Sequence, residues 1–231
     1  MTATPLRPRP TRRPTGPRVL AGDTTIPAVR RHPHRLTKRL IDLVGAVLLT
    51  IVVLPLAVLV AAAIRLDSRG PVFYRQERVG LDGRPFSMVK FRSMHVDADR
   101  LRAELRLANE AAGPLFKLRH DPRVTSVGRL LRRYSLDELP QLWNILRGDM
   151  SLVGPRPALV HEVEGYCDRA RQRLLVVPGL TGPWQVGGRS DLDWDDGIAL
   201  DLSYVHDWTP ATDAIVLART VRAVVRPVGA Y

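Results

Sequence analysis

From Leu43 to Ile64 the chain carries 22 consecutive uncharged residues, LVGAVLLTIVVLPLAVLVAAAI. As an α-helix this run extends about 33 Å, close to the hydrocarbon thickness of a bilayer. In a chain of 231 residues a single core rarely swallows a helix so uniformly apolar. A cleaved leader fits poorly as well. Ala61-Ala62-Ala63 mimics a cleavage site, but the apolar run is too long and more than 40 residues precede it. Membrane insertion is the favoured reading. Two features complicate a plain crossing. Pro55, thirteenth of the 22, removes a backbone hydrogen bond and crowds the preceding turn. Both flanks are also basic, with five Lys/Arg in residues 28–42 and four in residues 65–79. The positive-inside bias therefore pulls both ends toward the cytoplasm. A helix that enters, bends at Pro55 and returns satisfies both signals, and a kinked single span satisfies the first. On residues alone the two stand level.

The formal net charge is +12, but residues 1–39 hold ten basic residues and one acid, which leaves only +3 for the remaining 192. Seven of the 19 prolines lie in the same stretch. Such a segment cannot bury apolar surface, and residues 1–37 are expected to be a disordered basic arm. Beside a membrane segment, the arm reads as a contact for anionic headgroups. The near-neutral remainder makes a poor DNA surface, so no nucleic-acid partner is expected. A single cysteine, Cys167, excludes a disulfide framework and multi-cysteine metal sites. Cys167 is expected to be an inert packing residue. The six histidines are scattered. Walker, dinucleotide-binding, nucleophile-elbow and zincin motifs are absent.

After Arg65 the pattern becomes that of a folded domain facing the membrane, residues 66–231, behind a membrane segment at 38–65. Apolar runs at 72–74 and 86–91 flank Asp82-Gly83, a hairpin signal. Residues 94–112 read as a charged surface helix, 124–133 and 141–147 as short helices, and 159–177 as one longer helix. Gly179–Gly188 reads as a loop. Residues 213–225, apolar with interspersed arginines, read as an interfacial amphipathic helix. The expected fold is mainly α with a small β-hairpin.

Arginine outnumbers lysine 32 to three. That bias should erase lysine wherever a generic cation suffices, so the survivors Lys38, Lys90 and Lys117 are informative. Lys90, within Lys90-Phe91-Arg92-Ser93-Met94, is a compact point charge suited to a phosphate or carboxylate; a leftover surface lysine is the bland alternative. A second cluster runs Arg132-Arg133-Tyr134-Ser135-Leu136-Asp137-Glu138-Leu139-Pro140-Gln141. Its adjacent carboxylates suit Mg²⁺ and nucleophilic chemistry on phosphate. Ser135-x-x-Glu138 equally reads as a helix capping box. Gly154-Pro155-Arg156-Pro157 fixes the backbone around one arginine, a preset phosphate contact or a rigid turn. Gln185-Val186-Gly187-Gly188-Arg189 is a glycine-rich loop ending in a cation, weak on its own.

Together these clusters resemble the bacterial sugar transferase family, the monotopic phosphoglycosyl transferases, and the ending is similar to the branch that starts exopolysaccharide repeat units. The resemblance runs in order from about Lys38 to Tyr231. It is carried by Lys38-Arg39-x-x-Asp42, Gly70-Pro71-Val72-Phe73-Tyr74-Arg75-Gln76-Glu77-Arg78-Val79-Gly80, Lys90-Phe91-Arg92-Ser93-Met94, Asp121-Pro122-Arg123, Ser135 to Gln141, Ser151-Leu152-Val153-Gly154-Pro155-Arg156-Pro157, Pro178-Gly179-Leu180-Thr181-Gly182 and Asp201-x-x-Tyr204. One departure stands at the bend: some small members have a serine before the helix-breaking proline, where this chain has Leu54.

The resemblance implies transfer of a sugar-1-phosphate from a UDP-sugar to polyprenyl phosphate, with release of UMP and a requirement for Mg²⁺. It implies Asp137 as nucleophile through a phosphosugar–enzyme intermediate, and Glu138 as its proton acceptor or fellow metal ligand. It further implies a re-entrant helix broken at Pro55 and a catalytic domain on the cytoplasmic face of the bacterial inner membrane. Lys90, Arg92, Arg132, Arg156, Gln185 and Arg189 are the candidate substrate-binding residues. A membrane-anchored regulator and an idle scaffold for polysaccharide assembly are the rival readings. The identity of the sugar is open, as is the oligomeric state, with a homodimer among the alternatives.

Overall fold

A computed structural model describes residues 35–98, 100–101, 118, 121–188 and 192–225. The basic arm up to residue 34, most of the expected 94–112 helix, Lys117 and Arg189 lie outside the described residues. The first element is α1 (Arg35–Asp67), which continues through Pro55. A hairpin follows: β1 (Phe73–Val79) and β2 (Pro85–Phe91) pair antiparallel, with Phe73 opposite Phe91 and Val79 opposite Pro85. Its turn uses Asp82 and Gly83 at φ 55° and 73°, the left-handed geometry that this dipeptide favours. Then come α2 (Ser126–Arg133), a 3₁₀ turn (Leu136–Gln141) and α3 (Leu142–Arg147). Beyond them lie β3 (Ser151–Val153), α4 (Val160–Glu164), α5 (Asp168–Arg171), β4 (Gly179–Thr181), α6 (Pro183–Gly187), α7 (Trp194–Asp207) and α8 (Pro210–Val225).

The architecture is mostly helical with the expected hairpin, and it adds a short parallel pair, β3 with β4. Two expectations are corrected. The 159–177 helix is broken into α4, α5 and a 3₁₀ turn, Gln172–Leu175, because Gly165 ends the first piece and Tyr166 turns inward to meet Arg173. The 179–188 segment is a strand and a helix, not a loop. Its glycines serve close backbone approach: a Cβ on Gly179 would overlap the Gly154 amide, and one on Gly182 the Gly154 carbonyl. Cys167 is exposed just before α5 rather than buried as a packing residue, another correction.

α1 lays one face on the rest of the molecule. Ala46 joins the core of Phe86, Met88, Ile145 and Leu152, with Val53 against it. Further along, Val60 and Ile64 pack with Phe91 and Leu131. These positions recur at helical spacing. The outward face is Leu48, Ile51, Val52, Leu54, Val58 and Leu59, all exposed. An exposed apolar band of this size marks an interaction with membrane or protein. Among the described residues, Leu36–Asp67 is long and apolar enough to cross a membrane.

Both ends of α1 are tied to the same folded unit. At the first turns, Arg39 donates to the carbonyls of Ile145 (2.6 Å) and Leu146 (2.8 Å), capping α3. Lys38 bridges Asp42 (2.9 Å) and Asp213 (2.8 Å). Asp42 also accepts from the Ser151 hydroxyl and the Leu152 amide. At the far end, Arg92 donates to the carbonyls of Arg69 and Ser68, and Asp67 accepts from the Val127 amide.

Candidate active site

The 3₁₀ turn Leu136–Gln141 carries both carboxylates and lies against β2, which carries Lys90. The expected capping box does not form. Ser135 takes a left-handed conformation (φ 54°) and makes no side-chain cap. Glu138 is drawn to Lys90 instead, with Nζ 2.8 Å from Oε1. Asp137 is buried at 8% exposure. Burial raises its pKa and Glu138's charge adds to that rise, while Lys90 and Arg132 oppose it. Burial also works against Glu138 ionising, but the charge and hydrogen bond of Lys90, aided by Arg156 and Arg78, hold it below the usual carboxylate range. The dyad is therefore asymmetric, with Glu138 the firmer anion and Asp137 the more basic group.

Asn144, buried on α3, fixes the strand bearing Lys90. Its Oδ1 accepts from the Val89 amide (3.0 Å) and its Nδ2 donates to the Ser87 carbonyl (2.8 Å). Arg132, in the last turn of α2, donates to the Ser93 hydroxyl (3.0 Å). Its charge bears on both Asp137 and Asp121. Thr125 caps α2 by accepting from the Gly128 amide at 2.9 Å.

The Gly154-Pro155-Arg156-Pro157 turn rides on β4 through the glycine contacts above. Arg156 is 37% exposed in its side chain and stands 3.9 Å from Glu162. Arg173 supports the turn from beneath: it donates to the Arg156 carbonyl (3.3 Å) and the Tyr166 hydroxyl, pairs with buried Asp201 (2.7 Å), and lies over the Trp184 ring. Tyr204 OH sits 2.8 Å from both the Val153 carbonyl and Asp213, which explains the Asp201-x-x-Tyr204 spacing as a brace under this turn.

The structure thus brings Lys90, Arg132 and Arg156 around Asp137 and Glu138. It does not bring Arg92 there: that guanidinium is committed to the carbonyls that close α1. Gln185 turns its amide to the Leu180 carbonyl at 3.3 Å. Arg189 lies outside the described residues. Sequence reasoning did not single out Arg78, whose charge helps hold Glu138 down. The available signal was its place two residues after Gln76 and four after Tyr74, on the strand face shared with Lys90.

Similar proteins point the same way. The profile of the bacterial sugar transferase family matches residues 33–227. The undecaprenyl-phosphate galactose phosphotransferase of Salmonella typhimurium is 44% identical over 206 residues, covering 87% of this chain and 43% of that protein. The undecaprenyl-phosphate glucose phosphotransferase of Komagataeibacter xylinus is 41% identical over 220 residues, covering 87% of this chain and 39% of that one. The exopolysaccharide production protein ExoY of Sinorhizobium fredii is 42% identical over 200 residues, covering 85% and 88%. The chain spans less than half the length of the first two relatives and most of the third. With its fold, its carboxylate dyad and these matches taken together, the chain belongs to the bacterial sugar transferase family.

Proposed function

We propose that this chain moves a sugar-1-phosphate from a UDP-sugar onto polyprenyl phosphate and releases UMP, the first membrane step of exopolysaccharide or related glycoconjugate synthesis. The observation that carries the reading is Asp137, a buried and unusually basic carboxylate beside Lys90 and Arg132. The names of the Salmonella and Komagataeibacter relatives support the acceptor class and the reaction type.

In the first half-reaction an Asp137 carboxylate oxygen attacks the sugar-bearing phosphorus. A new phosphorus–oxygen bond forms, and the bond to UMP breaks with its electron pair leaving on UMP. In the second half, a phosphate oxygen of the polyprenyl carrier attacks the same phosphorus and Asp137 leaves as carboxylate. Two steps at one carboxylate let a small site serve a soluble and a lipid substrate in turn. Lys90, Arg132 and Arg156 offset the negative charge that otherwise repels a carboxylate from a diphosphate.

Two adjacent carboxylates fit Mg²⁺, which takes one or two protein carboxylates and completes its shell with water and substrate phosphate oxygens. Among the described residues, no group of three or more acids, histidines or cysteines offers an all-protein cage. Asp137 and Glu138 would hold the ion, where it would neutralise diphosphate charge.

α1 re-enters: its two ends, tied to one folded unit, stay on the cytoplasmic face of the inner membrane, and its outward leucines and valines sit in lipid. α8 exposes Ile215, Val221 and Val225 beside Arg219 and Arg222, as a helix lying at headgroup depth does. The site is then held where a polyprenyl phosphate presents its headgroup. The test is UMP release from a panel of UDP-sugars in nanodiscs. Release with one sugar that depends on both Mg²⁺ and polyprenyl phosphate is expected. A folded protein that releases UMP from none of them overturns the reading.

A further inference from the structure

Gln141 is a buried amide at the end of the turn that carries both carboxylates. The residue is 2% exposed, and among the described residues its Nε2 has no hydrogen-bond partner. An amide donor shut away from water in this way is costly, and a buried Met would fill the space without that cost. The residues on either side show what it faces. The 3₁₀ turn Leu136–Gln141 runs straight into α3, with Gln141 at φ −66° and ψ −16°. At three residues per turn Gln141 eclipses Glu138, and Asn144 follows three residues on. Both outer members of this row reach β2. Glu138 takes the Lys90 ammonium at 2.8 Å, and Asn144 bonds the Val89 amide and the Ser87 carbonyl. Gln141 is the middle member, and its donor is the one left over.

Because Nε2 is closed to solvent, it acts through a neighbouring side chain rather than on a ligand directly. The Glu138 carboxylate, one turn back, is the acceptor at the right spacing. In the structure Glu138 is held by Lys90 instead, whose charge and hydrogen bond keep it ionised. Lys90 is also the cation placed to meet a substrate phosphate, and a phosphate competes with Glu138 for the ammonium. We propose that Gln141 is a positioning residue for Glu138: as Lys90 turns to a phosphate, the Gln141 amide donates to the Glu138 carboxylate and keeps it aimed as a ligand for a divalent cation. The exchange makes and breaks only hydrogen bonds. Its place in catalysis rests on the transferase reading, whereas the change of partner on Glu138 does not.

A double-mutant cycle of Gln141→Met and Lys90→Met tests this in the full chain in nanodiscs, read by thermal unfolding and by calorimetric titration with Mg²⁺ alone. With Lys90 present, Gln141→Met removes an unpartnered donor and is expected to leave the unfolding midpoint unchanged or higher. In the Lys90→Met background Glu138 already relies on Gln141. There the same substitution is expected to lower the midpoint and to weaken Mg²⁺ binding about tenfold, as loss of a side chain that orients a metal ligand does. A packing role alone gives the same midpoint shift in both backgrounds and Mg²⁺ affinity within about twofold; either result overturns the proposal. Absence of Mg²⁺ binding by Lys90→Met overturns it too, because the aimed carboxylate is then no metal ligand. UMP release by the single variant Gln141→Met is the second measurement. A fall in kcat of about tenfold is expected, with the KM for the UDP-sugar unchanged. Release within about twofold of wild type removes the positioning role and leaves the transferase. A cycle that depends on Lys90, without UMP release from any sugar by the wild type, removes the transferase and leaves the exchange at Glu138.

Discussion

Lys38→Met removes the cation from a buried joint and leaves its stem in place. Lys38 Nζ lies 2.9 Å from Asp42 and 2.8 Å from Asp213, whose side chains are 5% and 4% exposed. Asp213 also accepts from the Trp208 indole at 3.0 Å. Without Lys38, two carboxylates stay buried with hydrogen bonds but no positive charge. Leaving one partner of a buried pair uncompensated costs about 3–5 kcal/mol. In a domain of this size each kcal/mol moves the unfolding midpoint by about 2–4 °C, so a drop of about 6–20 °C is expected. The assay is tryptophan fluorescence of the purified protein in nanodiscs during heating. Lys38→Met/Asp213→Asn should recover roughly half of the loss, because one of the two buried charges is gone while Tyr204 and Trp208 keep an acceptor. A loss under about 1 kcal/mol, the value of a solvated surface pair, would refute the view of this joint as a buried ionic tie between α1, β3 and α8.

Two further outcomes follow from the same geometry. Lys90→Gln should move the acid limb of kcat/KM to higher pH. In the proposed relay Asp137 must be ionised to attack; burial already raises its pKa, and Lys90 is the largest influence opposing that rise. The direction is therefore upward, and a limb that stays put or moves down in a pH–rate profile would show that another group sets it. In a Cys167→Ser background, cysteines replacing Leu36 and Leu66, which are 87% and 88% exposed, should both react with an impermeant maleimide from the cytoplasmic side. Labelling of the two from opposite sides would show a crossing helix.

The hairpin, α2, α3 and α8 were legible because each has a strong local signal: a turn dipeptide between apolar runs, or apolar periodicity. The misread segments have signals that depend on distant partners. Gly179 and Gly182 look like loop residues, yet they are small because the Gly154 backbone presses on them. Ser135 and Glu138 have capping-box spacing, but a lysine 48 residues away takes the glutamate. Trp194–Asp207 forms a helix that the opening Trp-Asp-Asp-Gly hid, and it is stabilised by Trp194 packing on Tyr166 and Trp184. At the site, clusters 90, 132–138 and 156 could be named from residue chemistry, and the structure sets them side by side. Arg92 shows the limit: a cation in a functional motif is indistinguishable in sequence from one that closes a helix end. Arg78 shows the converse, since its bearing on Glu138 appears only once the facing residues are known.

The covalent relay at Asp137 is the central claim, and mass spectrometry tests it most directly. The protein is mixed with its UDP-sugar and Mg²⁺ without polyprenyl phosphate, quenched, digested and analysed. The account predicts close to one UMP per active chain and a phosphosugar adduct on the peptide carrying Asp137, absent in Asp137→Asn and discharged by added polyprenyl phosphate. A chain that turns over with lipid present but yields neither UMP nor adduct in its absence would contradict it and point to direct transfer between the two substrates.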